Sequence, residues 1–326
     1  MDVLGIDLAK LTFDVTLLTS AGCSHHHQFP NTATGFTQLQ HWLGKLGVSQ
    51  LHACMEATNV YWEALAQFLD DQGYTVSVVN PARIKGYAMS QMQRNKTDKQ
   101  DSATIAAFCA THTLQAWTPP TAAQRKLRAL VRHRDDLIAT RIQQTNRLQD
   151  TTDPDVRASL EAVLVTIKAQ LKTTQRQITA HLKANAELRD LHCLMDSVPG
   201  IGAVTAQKLL AEFYDLAAYP SAKAAGADAG LTPANYESGS SVRKRPHLSK
   251  MGKASIRAAL YWPAISVMTH SMEFKQFAQR LAARGKSYGV ILGAVMRKLI
   301  HIIYGVVKHK TAYDPAKVLG PAAPLT

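Results

Sequence analysis

The sequence predicts an N-terminal α/β domain over residues 1–115, a helical coiled-coil hairpin over 116–188 and a mainly α C-terminal domain over 189–326. Three observations lead there. Up to Asn80, strand-type alternation and helix-type spacing follow one another in order; after Pro119-Pro120 apolar residues recur at fours, threes and sevens; and from Leu191 short apolar stretches are repeatedly broken by Gly and Pro. A chain of 326 residues is also long enough for two or three separate cores.

Residues 2–9 (DVLGIDLA) and 13–19 (FDVTLLT) read as strands joined by a short turn, and Ser20-Ala21-Gly22 turns the chain into a third strand, 23–29. Phe36, Leu39, Trp42, Leu43 and Leu46 then share one face of a helix, followed by an apolar strand over 51–57. A second helix, 61–71, passes through Gly73 to the strand 75–79, which Asn80-Pro81 ends. Three hairpin strands followed by strand–helix alternation, βββαβα and then more helix, is the order of an RNase H-like domain.

Beyond Pro119-Pro120, Leu127, Leu130, Leu137, Ile138, Ile142 and Leu148 mark one long helix, and Thr152-Asp153-Pro154-Asp155 breaks it. Leu160, Leu164, Ile167, Leu171, Ile178 and Leu182 mark a second with a coiled-coil seam. An isolated helical hairpin buries little of its own seam, so packing on a partner subunit is expected. The residues from Pro315 on are rich in Pro and Ala and are expected to fray.

The formal charge of +13 is unevenly spread. Residues 1–110 carry seven Lys and Arg against nine Asp and Glu, a net of −2; the remainder carries 30 against 15, a net of +15. An acidic, cation-binding front and a basic back that meets a polyanion, nucleic acid foremost, fit that division; a generically soluble basic surface is the competing reading. Cys23, Cys54, Cys109 and Cys193 show no C-x-x-C spacing, which argues against zinc and against a disulfide framework, and they are expected to be reduced and structural. The opening MDVLGIDLAK lacks the features of a signal peptide, and the apolar stretch 288–307 is interrupted by Arg297, Lys298 and His301. No membrane contact and a cytoplasmic location are therefore expected.

Asp7 stands in the first strand among apolar residues that would bury it, and an unpaired carboxylate there is costly. Glu56 ends the fourth strand, which neighbours the first in an RNase H sheet. Asp98 and Asp101, three apart at a helix start, project from one face. Four such groups repel one another unless divalent cations neutralise them, and oxygen ligands favour Mg²⁺ or Mn²⁺. For Asp98 alone, a helix-start carboxylate complementing the dipole is the competing reading.

Tyr236-Glu237-Ser238-Gly239-Ser240-Ser241 reads as a small polar loop followed by Arg243, Lys244, Arg245 and, shortly after, Lys250. A serine beside cations can present its hydroxyl to a phosphodiester, although such loops are usually solvated linkers. Val198-Pro199-Gly200-Ile201-Gly202 has the form of a helix-hairpin-helix turn, in which Gly200 and Gly202 allow backbone amides to receive a phosphate; an ordinary helical turn is the alternative. His25-His26-His27 is expected to be an exposed strand rather than a ligand cluster, because alternate residues face opposite ways. Trp62, Tyr261 and Trp262 are expected in the core, and Arg297, Lys298, His301, Lys308 and Lys310 either track a nucleic-acid backbone or edge an apolar helix.

GIDLAK, EAT after an apolar strand, NPAR and RNKTDKQDSATIAAF resemble the RuvC-type DEDD domain of the transposases related to the Piv invertase, and more narrowly the bridge-RNA-guided recombinases of bacterial insertion sequences. PGIG, AGLTP and YESGSS fall in the same family order, so the resemblance spans nearly the whole chain. Asn59 stands where the family usually has Gly, and since Asn tolerates a left-handed backbone the turn is expected to survive; Ser102 stands where Ala is usual, and little is expected from it. The resemblance implies that Asp7, Glu56, Asp98 and Asp101 hold the metal, and that Ser238 attacks DNA to form a covalent link at a composite site, with Ser240 and Ser241 as rivals. It also implies donor and target DNA as substrates and guidance by a structured noncoding RNA whose base pairing reads both. Because carboxylates and serine lie in separate domains, a dimer assembling to a tetramer on DNA is expected. The alternatives are a hydrolytic junction nuclease using the same carboxylates, and a non-catalytic nucleic-acid-binding protein on the same scaffold.

Overall fold

The computed structural model describes residues 1–57, 60–92, 97–238 and 242–315, and of 235–238 and 242–246 the backbone alone. Asn59 and the Arg94-Asn95-Lys96 stretch lie outside the described residues, as do Gly239, Ser240 and Ser241. The chain divides into two compact units, Met1–Pro119 and Pro120–Thr326.

The first unit is built on a five-stranded sheet of order β3-β2-β1-β4-β5, with β1 Asp2–Leu8, β2 Thr12–Leu18, β3 Ser24–Pro30, β4 Leu51–Glu56 and β5 Thr75–Val79. The first three strands pair antiparallel; β4 and β5 run parallel to β1, each after a crossover helix. Alternation along β1 sorts the residues onto two faces. Leu4 and Ile6 join Phe13, Val15 and Leu17 against Leu39 and Leu43 of α1 (Ala33–Lys45) and Leu65 and Leu69 of α2 (Glu63–Asp71). Val3 and Cys54 face the other way, toward Ile84 of α3 (Pro81–Ser90) and Ile105 and Phe108 of α4 (Asp98–Thr111). The NPAR segment starts α3: the Asn80 side chain accepts from the Ala82 amide at 2.9 Å, with Pro81 as the first helical residue. The predicted β/α order therefore holds throughout this unit.

In the second unit, α5 (Ala122–Asp150) begins at a capping box between Thr121 and Gln124, and α6 (Pro154–Ala184) at the Asp153 side chain, which accepts from Asp155 and Val156 amides. The two form the expected hairpin. Its base is anchored in the same hydrophobic core as the short helices, through Leu127, Val131, Ile178 and Leu182. Buried Arg134 of α5 donates from Nη1 to the Gln207 side chain at 2.6 Å and from Nη2 to Asp135 at 3.4 Å.

After α7 (Ala186–Asp196), α8 (Ala203–Phe213) and α9 (Ala222–Asp228) come two antiparallel strands, β6 (Pro233–Ser238) and β7 (Val242–Leu248), then α10 (Ala254–His270), α11 (Met272–Ala283) and α12 (Tyr288–His309). Helix α12 is long and apolar enough by composition to cross a membrane, yet it is the central helix of this unit, burying Val295, Leu299, Ile300 and Ile303 completely.

Two expectations are corrected here. The segment read as a polar loop is strand up to Ser238, because Tyr236 and Glu237 pair with Lys244 and Arg243 across the ribbon. Tyr261 and Trp262 are not core residues: Trp262 is 72 % exposed and Tyr261 43 %, their apolar neighbours on α10 having turned the opposite face inward. Trp62, by contrast, is buried as expected.

Candidate active site

Asp7 is the penultimate residue of β1, and Glu56 the last of β4. The parallel register pairs Ile6 with Met55, so the two carboxylates occupy the next step of adjacent strands, at their C-terminal ends. In alternating sheets that end is where a ligand can approach without displacing the core. The face carrying Asp7 is the one that α4 covers, and α4 begins there. Thr97 caps it by accepting from the Gln100 amide at 3.2 Å, which leaves Asp98 and Asp101 in the first turn.

Two contacts fix the height of α4 above the sheet. Gly5, two residues before Asp7, has no side chain because a Cβ there would overlap the backbone of Ser102 and Ala106. Ser102, next to Asp101, shares a 2.8 Å hydroxyl bond with Thr16 of β2. Ser102 is fully buried, so the residue from which little was expected is in fact the polar tie between helix and sheet.

Each of the other three acids acts electrostatically on Asp7. The Asp7 carboxyl is pushed up to about 6, first by burial and then by the negative charges of Asp101, Asp98 and Glu56, with a smaller push from Asp14. Among the described residues no three metal-ligating groups stand at ready-made ligand spacing. The donor set nonetheless fits a hard divalent cation, since all four groups are carboxylates and their mutual repulsion is what such an ion relieves.

Sequence reading missed one polar cluster on this face. Asp14 lies directly opposite Asp7 in the antiparallel register, is buried, and accepts from His26 Nε2 and Gln28 Nε2, both at 2.9 Å. Aligning the second hairpin would have revealed it, because β2 and β3 pair Asp14 with Gln28 and Thr16 with His26. His25, His26 and His27 do occupy a strand, but His26 is half-buried on Asp14 and His27 stacks on Trp42.

The other predicted residues belong to the second unit. Ser238 ends β6 opposite Val242, and Arg243, Lys244 and Arg245 follow in β7. Lys250 is exposed just beyond β7 with a left-handed backbone, φ 55°. Gly200 has φ 78° and lies so close to α10 that a Cβ would come 2.5 Å from Val267 Cγ1, whereas Gly202 caps α8 with open space around it. Of the two, Gly202 thus has the amides of a helix start on an accessible side, while Gly200 is required by the turn itself.

Comparison with known proteins bears on both units. A family model described as "Transposase", of the DEDD IS110 type, matches residues 4–153, and one described as "Transposase IS116/IS110/IS902 family" matches 192–279. The pilin gene-inverting protein of Moraxella lacunata is 33% identical over 321 residues, covering 95% of this chain and 97% of that protein. The chain belongs to this transposase family. The transposase for insertion sequence element IS1328 of Yersinia enterocolitica is 24% identical over 294 residues, covering 79% of this chain and 81% of its own length. All four carboxylates fall within the first matched region, and Gly200, Gly202, Ser238, the Arg243–Arg245 cluster and Lys250 within the second. Membership of the family makes the chain a DNA transposase or recombinase and implies divalent metal.

Proposed function

We propose that this IS110-type transposase cleaves and rejoins DNA strands with Ser238 as nucleophile, and that Asp7, Glu56, Asp98 and Asp101 hold Mg²⁺ or Mn²⁺. The observation that carries the metal half is the crowding of Asp7 by three further carboxylates at the ends of β1 and β4 and the start of α4. A bound divalent ion would supply Lewis-acid stabilisation of phosphate oxygens. The chain's own contribution is to hold those carboxylates on a rigid sheet end, with α4 set by Gly5 and by the Ser102–Thr16 bond.

The serine half is supported by the place of Ser238 at the end of a strand whose partner carries Arg243 and Lys244. A serine hydroxyl is weak unaided; attack on phosphorus forms a new ester, releases the 3′ or 5′ hydroxyl of the cut strand and conserves bond energy for rejoining. Cations on the partner strand suit the phosphodiester charge. Guidance by a structured noncoding RNA, a dimer assembling to a tetramer on donor and target DNA, and a cytoplasmic place of action belong to the same reading. Family resemblance and the basic balance of residues 111–326 support the nucleic-acid partners, and the place of the carboxylates and Ser238 in separate units supports the oligomer.

The experiment is a strand-cleavage assay on DNA containing the element's ends, with denaturing gels that separate free from protein-linked strands. Ser238→Ala is expected to remove the linked product while DNA binding persists, and Asp98→Asn to remove cleavage altogether. Free ends from the Ser238→Ala variant at undiminished rate would assign the chemistry to water, as in a hydrolytic junction nuclease.

A further inference from the structure

Beneath the β6–β7 ribbon, the second unit carries a cavity of about 560 Å³ that the proposed chemistry does not use. Its size falls in the range of small-molecule and nucleotide sites, roughly 300–1,000 Å³. Leu231, Leu248, Phe277 and Val290 supply apolar walls; Leu248 rests on Gly293 of α12, and small residues at Gly289 and Ala294 of the same helix leave the floor open beside it. From Val290 to Lys298 the trough follows eight residues of helix, about 12 Å. At the end beyond the apolar part stand Arg297 and Lys298, and Lys250 joins them in the lining; among the described residues no Asp or Glu lines it.

An apolar slot with an aromatic side wall, continued by cations, is complementary to a flat apolar group tethered to an anion. A nucleobase on its phosphate has that form, and single-stranded nucleic acid is held elsewhere by the same combination of stacking and basic groups. We propose that this cavity receives one unstacked nucleotide of a DNA strand, its base against Phe277 along Gly289 and Ala294 and its phosphate toward Arg297 and Lys298. The occupant is DNA rather than RNA because the wall of the cavity leads directly to the DNA chemistry. Pro233 and Leu248, a registered pair, line the cavity, and β6 runs from Pro233 to Ser238 in five residues, about 17 Å. That is the length of about five stacked nucleotides and of fewer unstacked ones. The assignment of the cavity to a nucleotide rests on the reading that this unit holds nucleic acid; the spacing and the choice of DNA over RNA rest on Ser238.

The test uses the full chain and a single-stranded oligodeoxynucleotide carrying the photoreactive base 4-thiothymidine, without divalent metal, so that cutting and the identity of the nucleophile do not enter. Cross-linked peptides are mapped by mass spectrometry, and affinity is read by fluorescence anisotropy. Cross-links are expected at Phe277 or within residues 287–294. Val290→Trp, an exposed position at the mouth, is expected to suppress those cross-links and weaken affinity about tenfold. Ala294→Leu serves as a second filling variant, and both are checked for an unchanged thermal transition. Cross-links confined to other segments, or affinity unaffected by either folded variant, would overturn the proposal. So would an oligoribonucleotide of the same sequence that binds more tightly and cross-links at the same residues.

Discussion

The hydroxyl oxygens of Ser102 and Thr16 lie 2.8 Å apart in the interior of the first unit, joining the first turns of α4 to the second strand. Ser102 Oγ also donates to the Lys99 carbonyl at 3.0 Å, so Thr16 supplies the proton between them. Ser102→Ala leaves the Thr16 hydroxyl buried without its partner, at a cost of about 1–3 kcal/mol. Adding Thr16→Val removes the orphaned group and is expected to recover much of that loss. A double-mutant cycle by urea unfolding checks this, and an additive result would show that the bond contributes nothing.

Gly5→Ala acts at the same joint through sterics. The added methyl meets the backbone of Ser102 and Ala106, which cannot move aside without lifting α4. The expected cost is about 1–3 kcal/mol, in the range of overpacking. Cleavage is expected to fall at least tenfold in protein that remains folded, because Asp98 and Asp101 leave with the helix. Cleavage rates measured well below the unfolding transition separate the two effects; an unchanged rate would mean that the helix start is positioned by something else.

The raised Asp7 carboxyl sets a pH dependence. Its folded value of about 6 exceeds the ordinary 3.8, so the folded chain without metal binds the proton more tightly than the unfolded chain. That contribution to stability is fully present below 3.8 and is lost as pH rises through about 6. A divalent ion competes for the same oxygen, so Mn²⁺ affinity is expected to fall as pH drops below 6 and to level off above it. Calorimetric titration at pH 7.5 and pH 5 measures this. Asp7→Asn should remove most of the pH dependence in that range and weaken affinity about a hundredfold; equal affinities at the two pH values in the native chain would contradict the assignment.

The two glycines of the Val198–Gly202 turn are expected to behave differently. Gly200→Ala combines a left-handed backbone with a contact to Val267, and should destabilise by more than about 1 kcal/mol. Gly202→Ala has room and an ordinary φ of −82°, so its cost is confined to the poorer N-cap, about 0.5–1 kcal/mol. If the start of α8 receives a phosphate, the Gly202→Ala methyl hinders it, and DNA affinity drops while the chain stays folded. Loss of affinity only in proportion to lost stability would make the turn structural.

The β/α order of the first unit was legible because strands and helices differ in apolar period, and each run was bounded by Gly, Pro or Asn. The acids at 7, 56, 98 and 101 could be singled out for a related reason: a carboxylate in an apolar strand or paired at a helix start conflicts with its local setting. The β6–β7 ribbon was hidden because YES and VRKR lack apolar alternation, and its pairing is made by backbone groups whatever the side chains. Trp262 misled for the complementary reason. On an α10 that is apolar nearly all round, composition does not say which side faces the core.

Taken alone, the amino-acid order determined the succession of elements, the charge division and the identity of the acidic side chains, all of which depend on neighbours within a few residues. Which of them meet was decided by the tertiary structure. The pairing of Asp7 with Asp14, the seating of α4 on Gly5 and Thr16, and the cavity lined by Leu248 and α12 join residues far apart in the chain. Their juxtaposition follows from register and close packing, and neither is written in local periodicity.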